Sequence, residues 1–482
     1  MIPITNAIVL TVAISLSVAG YAKDLAAGAQ TTTTQRPIKL ADLLQSVEQH
    51  YPLIISAMQD LKKAESDLLA AKGGFDPILK TSAQKTPAGE YSNQSFDAMV
   101  EQPTSLWGTR MVAGYRQGSG EFGPYDQKMK TNSGGEVRGG VEVPLLRGGS
   151  IDERRAKIGV AEKSVISVDQ TLRQQRLDAA RQAVTRYYDW VSAHEKLRIA
   201  NSLLKLARDR DDATRHRVRR GDAAAIDQID NERSVLQRET AVVAANRSIN
   251  KASLELSIFL RTADGAPKVP SPSEYDASNF DFDVLRDQKS MLLTADVVPD
   301  SAVYSYPEIR RANALLEQTD IELQYAENLF LPKVDAEFLI SQDYGSGSKD
   351  KARLEYKLGL KVELPLRLRT QNGRLGGVLA NRSKLDAQLN LAKDRLRVLV
   401  NDFRQMIEAS RQRADLIQKE VQLSLKVEEA ERVRFRHGDS NLLMVNIREQ
   451  TTADAQQRLI DAKVDFLKAL AEYTLIHSSM QG

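Results

Sequence analysis

Apolar positions along the chain switch between two periods. Over residues 40–72, Leu43, Leu44, Val47, Ile54, Met58, Leu61, Ala64 and Leu68 fall at three- and four-residue steps, predicting an amphipathic helix with one buried stripe. Gly73-Gly74 and then Pro77 stop it, as helix C-termini prefer. A second such helix is expected over about 305–329, ending against Pro332. The period then shortens to two. Val334, Ala336, Phe338 and Ile340 oppose Asp335, Glu337 and Ser341, and Leu358, Leu360, Val362 and Leu364 oppose Lys357, Lys361 and Glu363, which predicts half-apolar strands around the polar turn GSGSKDKA. In the first half FDAMVEQ, TRMVAGYRQ and GEVRGGVEVPL read as strands between Gly-rich loops. After Pro144 and Pro365 the helical period returns and persists, over about 152–219 and 373–436, with no proline and only Gly159, Gly376 and Gly377 inside. Some 65 residues make a rod of roughly 100 Å. Each rod meets a Gly-Asp turn and a return helix, ending near Leu260 and His477.

This grammar is written twice. YPLIISAMQDLKKAESDLLAAKGGFDPIL from Tyr51 matches YPEIRRANALLEQTDIELQYAENLFLPKV from Tyr306, with equal spacing from Pro52 to Pro77 and from Pro307 to Pro332. VEVPLLRGGS answers VELPLRLRTQNG, and RVRRGDAAAIDQID answers RFRHGDSNLLMVNI. Landmarks repeated in one order predict two repeats, 38–260 with strands at about 78–146 and 301–482 with strands at about 333–365, joined by a Pro-, Ser- and Asp-rich connector at 261–300. A short helix plus a return helix about equals the long one, so the two can stack end to end along it. The first half has more room between its prolines than the second, enough for an extra hairpin in the wall or outside it.

Composition narrows the function. The 67 basic and 64 acidic residues nearly cancel, leaving a net charge of +3, so nothing asks for nucleic acid. The apolar run from Ile8 to Val18, followed by AGYAK, reads as a signal peptide over 1–22, although its n-region MIPITNA lacks Lys and Arg. The sequence holds 0 cysteines, which excludes disulfides and a thiol-linked lipid. An exported chain of this kind has a soluble or a β-barrel fate. Half-apolar strands need cover, and an outer membrane covers one face of a closed barrel; too few strands for one chain to close implies a cyclic oligomer. GSGEFG at 118–123 fits a dinucleotide fingerprint, but Pro124 follows and no helix opens, so it reads as a strand-connecting loop. His50, His194, His216, His437 and His477 lack metal-ligand spacing, and no nucleophile motif or P-loop occurs. No catalytic residue, metal or cofactor is expected. Trp107, Tyr115, Tyr125 and Tyr344 fall in the strand regions, where barrels carry aromatic girdles.

At the turns, Arg217, Arg219 and Arg220 complement the negative end of the rod, Gly221 suits a left-handed cap, and Asp222 or Asp227 is expected to cap the next helix. Arg434, Arg436, Gly438 and Asp439 repeat the plan.

The duplicated plan, with YP…FDP, VPLLRGGS, RRAKIGVAEKSV, VTRYYDWVSAHEKL and RVRRGDAAAIDQIDNER, resembles the TolC family of outer-membrane efflux and secretion proteins over nearly all of 40–477. The resemblance implies a mainly α protein with a β-barrel portion: a homotrimer whose helical hairpins form an α-barrel tunnel across the periplasm of a Gram-negative bacterium and whose strands form a transmembrane β-barrel in outer-membrane lipid. It implies an exit duct, not an enzyme, working with an inner-membrane pump and a periplasmic adaptor that docks at the Gly turns. Arg217, Arg434 and Asp227 match the family's tip residues. Where the best-known member narrows its entrance with aspartates, this chain has Met444 and Ile447, with Asn446 between. Asp222 and Asp439 replace the apolar residue that commonly follows each glycine. A duct for protein secretion and a soluble periplasmic coiled-coil or adaptor protein are the competing expectations.

Overall fold

The computed structural model describes residues 36–280, 282 and 300–481. The expected signal peptide lies outside them, as do residues 281 and 283–299 of the expected connector.

The first helix is broken in two, α1 (Leu40–His50) and α2 (Pro52–Lys72). The apolar stripe runs through the break, which is why one continuous helix was expected. The proline ring forbids helical backbone at the residue before it, so Tyr51 sits extended at φ −75°, ψ 122°. The same chemistry acts at Tyr306-Pro307: α5 (Asp300–Ser305) stops, and α6 (Pro307–Asn328) starts with proline in its first turn. The long rods are α3 (Glu153–Arg219, 67 residues) and α7 (Arg369–His437, 69 residues), about 100 Å each at 1.5 Å per residue. Asp152 caps α3, its carboxylate accepting the Arg155 amide at 2.9 Å. The return helices are α4 (Ala225–Ser257) and α8 (Leu442–Gln481). Both α2 and α4 pack on α3, and both α6 and α8 pack on α7. Since α3 also packs on α6 and α8, it sits inside the helical layer and α7 at its edge.

The strands are β1 (Ile78–Thr86), β2 (Asn93–Pro103), β3 (Arg110–Gly120), β4 (Glu136–Pro144), β5 (Lys333–Asp343) and β6 (Glu355–Glu363). They form one antiparallel meander in chain order, and β4–β5 pairing joins the two halves of the sequence, with Val141 opposite Phe338. β1 was not among the expected strands. Its outward positions Leu79, Thr81 and Ala83 are too weakly apolar to signal a period of two.

The largest buried side chains gather midway along the α3 rod, where Tyr187, Trp190 and Val184 meet Leu467 and Ile476 from the C-terminal half of α8 and Leu256 from the end of α4. Segments at both ends of the first half clasp this belt. Tyr51 stacks on Phe259 at 5.2 Å, the Ser46 hydroxyl accepts the Arg261 amide at 2.8 Å, and Ile38 N–H donates to the Glu274 carbonyl at 3.0 Å. Tyr275 lies flat on His194 at 4.3 Å and donates to the Glu195 carboxylate at 2.6 Å. Burial away from water lowers the His194 pKa, while the nearby Glu195 charge pulls weakly the other way.

Candidate channel wall and helix-turn tips

The sheet separates its side chains by chemistry. One face carries Leu79, Phe96, Val100, Met111, Val137, Leu358, Leu360 and Val362, all exposed in the single chain. Leu358 is 82% exposed and its neighbours on β6, Leu360 and Val362, 64% each, which water does not favour. The other face carries ion pairs strand to strand: Lys80 to Glu101 at 2.8 Å, Arg110 to Glu142, Arg116 to Glu136 at 2.5 Å, Arg138 to Asp97, and Lys361 to Glu337 at 3.2 Å. An apolar face backed by a charged face, on strands of nine to eleven residues, is the alternation of a lipid-facing barrel wall. At the helix end of the sheet Trp107, in the turn from β2 to β3, donates its indole N–H to the Pro144 carbonyl at 2.8 Å. Tyr125 and Tyr344 lie at the opposite end, and Tyr115 reaches toward that end, donating to the Gly134 carbonyl at 3.1 Å. Of GSGEFG, residues 118–120 end β3 and residues 121–123 open the β3–β4 connection.

The two far turns fold alike. In the first, Gly221 takes φ +80°, its N–H donates to the Val218 carbonyl at 3.0 Å, and Asp222 N–H reaches back to the Arg217 carbonyl at 2.9 Å. In the second, Gly438 takes φ +87°, donates to Phe435 at 3.2 Å, and Asp439 N–H reaches Arg434 at 2.9 Å. This is the reverse-turn cap in which glycine relieves the left-handed strain. Arg217 and Arg434 fold over their own turns, their guanidinium groups donating to the carbonyls of Asp222 and Asp439 at 3.4 and 3.3 Å. The expected caps need correction. The N-cap of α4 is Ala224, without a side-chain bond; Asp222 pairs with Arg220 at 3.4 Å, and Asp227 lies in the first turn, favoured by the helix dipole alone. In the second turn Asn441, which the sequence reading passed over, accepts the Met444 amide at 3.0 Å. Met444 and Asn446 are half-buried, and Ile447 is exposed.

The strongest chemistry lies one to two turns above these caps. Arg432 of α7 lies between Glu428 at 2.6 Å and Glu449 of α8 at 3.2 Å. Arg215 of α3 lies between Asp211 at 2.8 Å and Glu232 of α4 at 3.2 Å. The two triplets stand at the same offset in sequence as Gly221 and Gly438. They differ in what covers them: Glu232 is 45% exposed, whereas Glu449 is 4% exposed because Arg210 of α3 closes over it and over Asn446. A further link joins Arg238 of α4 to Gln450 of α8. Thus α8 is held to α3 and α4 by side chains that periodicity could not reveal, because each sits on a helix face expected to be solvated. The repeat offset was the available signal for the two triplets, and for Arg210 there was none.

No protein-family model and no curated protein sequence matches the chain. Solved structures do. A membrane protein from Pseudomonas aeruginosa superposes with a TM-score of 0.64 at 16% identity, covering 91% of this chain and 93% of that one. The VceC outer-membrane protein from Vibrio cholerae gives 0.65 at 14% identity, covering 92% and 96%. CusC, a transmembrane channel, gives 0.65 at 10% identity, covering 91% and 92%. The fold is that of a TolC-family outer-membrane channel. The likeness runs along about nine-tenths of this chain and of each of those structures. Among the described residues no helix is long and apolar enough to cross a membrane, and no cluster of side chains could hold a metal ion.

Proposed function

We propose that the protein is a homotrimeric exit duct of the outer membrane, in which the sheet is one part of a lipid-embedded barrel and the helices are one third of a periplasmic tunnel. The observation that carries this reading is the two-faced sheet: an apolar face exposed on five of its six strands, and half-buried on β5, is a liability in water and a requirement in hydrocarbon. A soluble coiled-coil or adaptor protein would have no use for it. The two halves of the sequence are then internal repeats, with 1–22 removed on export.

The Gly-Asp turns are the periplasmic mouth. Arg217, Gly221, Asp222 and Asp227 at one tip and Arg434, Gly438 and Asp439 at the other form the surface offered to a periplasmic adaptor, which connects the duct to an inner-membrane pump for small molecules. Met444, Asn446 and Ile447 line the approach, so the constriction is neutral and lacks an acidic cation-binding ring. Opening releases α8 from α3 at Arg210, a change between two discrete packings. The protein's part is passage, with no chemistry of its own.

A conductance measurement on the purified protein in a planar bilayer tests the reading. Discrete channel steps are expected, together with recovery in the outer-membrane fraction; recovery in the soluble fraction overturns it. A secreted-polypeptide assay separates protein export from small-molecule efflux.

A further inference from the structure

The sheet has more strands than the helices beneath it require. Each half of the chain sends one helix up into the sheet and one down from it: α2 feeds β1, β4 feeds α3, α6 feeds β5, and β6 feeds α7. The second half needs only β5 and β6 to make its round trip. The first half makes the same trip and inserts the β2–β3 hairpin on the way, fully paired on both sides, with Val100 opposite both Leu79 and Ala113, and Met111 opposite Val141. Its polar face joins the ion-pair ladder through Asp97, Glu101, Arg110 and Arg116, and its apolar face presents Phe96 and Val100 in line with the rest. The hairpin is therefore wall.

We propose that β6 of each chain pairs with β1 of the next, closing three six-strand sheets into an 18-stranded barrel. This rests on the trimeric duct reading. The seam fits in three ways. β1 leaves the helices and β6 returns to them, so the new pair is antiparallel like the other five. Each edge strand has nine residues. The faces also continue, Leu79, Thr81 and Ala83 meeting Leu358, Leu360 and Val362, with Lys80 and Ser82 on the charged side beside Lys361 and Glu363. Closure removes two open edges per chain.

The widths agree as well. Strands about 4.8 Å apart and tilted by about 40° make a ring of roughly 18 Å radius when there are 18, and roughly 12 Å when there are 12. Four helix columns per chain, α2 with α4, α3, α6 with α8, and α7, give twelve in a trimer; at about 10 Å spacing they form a ring of roughly 19 Å radius. The inserted hairpin brings the barrel to the width of its tunnel.

Cysteine pairs in the otherwise cysteine-free protein, placed in the outer membrane and oxidised, read the seam directly. Thr81→Cys combined in turn with Val362→Cys, Lys361→Cys and Leu360→Cys should give covalently closed trimers on non-reducing gels for the pairs sharing the apolar face, and none for the Lys361→Cys pair. Ala98→Cys and Ala113→Cys on the hairpin should resist water-soluble maleimides. A native trimer in which Thr81→Cys instead links to Val141→Cys of β4, or in which the hairpin cysteines label freely, overturns the 18-strand barrel and leaves the duct standing. Absence of any trimer from the outer membrane overturns the duct as well, so the two failures are distinct.

Discussion

Arg210→Ala isolates the link between the two tips of one chain. The guanidinium is 13% exposed and reaches two acceptors on α8, Asn446 and the Glu449 carboxylate. Its removal does not strip Glu449 bare, because Arg432 remains at 3.2 Å. The loss is therefore that of two charged hydrogen bonds, about 1.5–3 kcal/mol each, and not the larger cost of an orphaned buried carboxylate. Taking the low end, about 3 kcal/mol per chain shifts the ratio of released to held tips by roughly 150-fold. Single-channel recordings at fixed salt should show a large rise in open probability for Arg210→Ala and a smaller one for Arg210→Lys, which keeps one charged bond. Arg198→Ala, at a pair whose arginine is 74% exposed, should record like the parent. If Arg210→Ala trimers assemble, melt as the parent does and stay as closed as the parent, the tips are held by something else and the gating account fails.

Other perturbations probe separate layers. Gly438→Ala should cost about 1–2 kcal/mol through backbone strain alone, since the φ of +87° is the only obstacle and no atom crowds a new Cβ; limited proteolysis at the turn should accelerate, with Gly438→Asn intermediate. Leu358→Arg should cost about 2–4 kcal/mol in lipid and empty the outer-membrane fraction of trimer, whereas Lys357→Gln on the opposite face should assemble normally; equal tolerance of both would refute the assignment of faces. Burial keeps His194 neutral with its pKa below 6.5, so the folded belt binds fewer protons than the unfolded chain as pH falls. Its contribution is complete above pH 6.5 and is lost as pH drops through the lowered value. The gap between melting temperatures at pH 7.5 and pH 5 should therefore narrow in His194→Gln. Trp190→Ala, deleting a fully buried ring, should cost about 3–5 kcal/mol by thermal melting and loosen the belt without changing the wall.

What the sequence disclosed follows from which interactions are local. The long rods were legible to within a few residues because 3.6-residue periodicity without proline leaves no alternative, and Asp152 supplied a cap at the expected place. The Gly-Asp turns were equally plain, since the left-handed cap demands glycine. Pro52 and Pro307 were visible, but the apolar stripe continues across them and concealed the breaks. β1 was lost because Thr81 and Ala83 occupy the apolar face of the sheet without announcing it. The tip network was largely invisible: Arg210, Glu449 and Arg432 are common residues on helical faces, and their meaning arises only when α3, α7 and α8 come together. The pairing of β4 with β5 likewise joins segments whose contact no local pattern encodes.

The β2–β3 hairpin has a consequence for how such a molecule can vary. It enters and leaves the sheet at the end away from the helices and makes its own turn through Trp107 at the helix side, so its addition or loss disturbs neither the direction of any other strand nor the number of helices below. In the proposed barrel, aperture is thus a modular quantity, altered in steps of one hairpin per subunit, while the length of the proposed tunnel and the surface proposed for its partner at the far end are encoded elsewhere in the chain and can be selected independently.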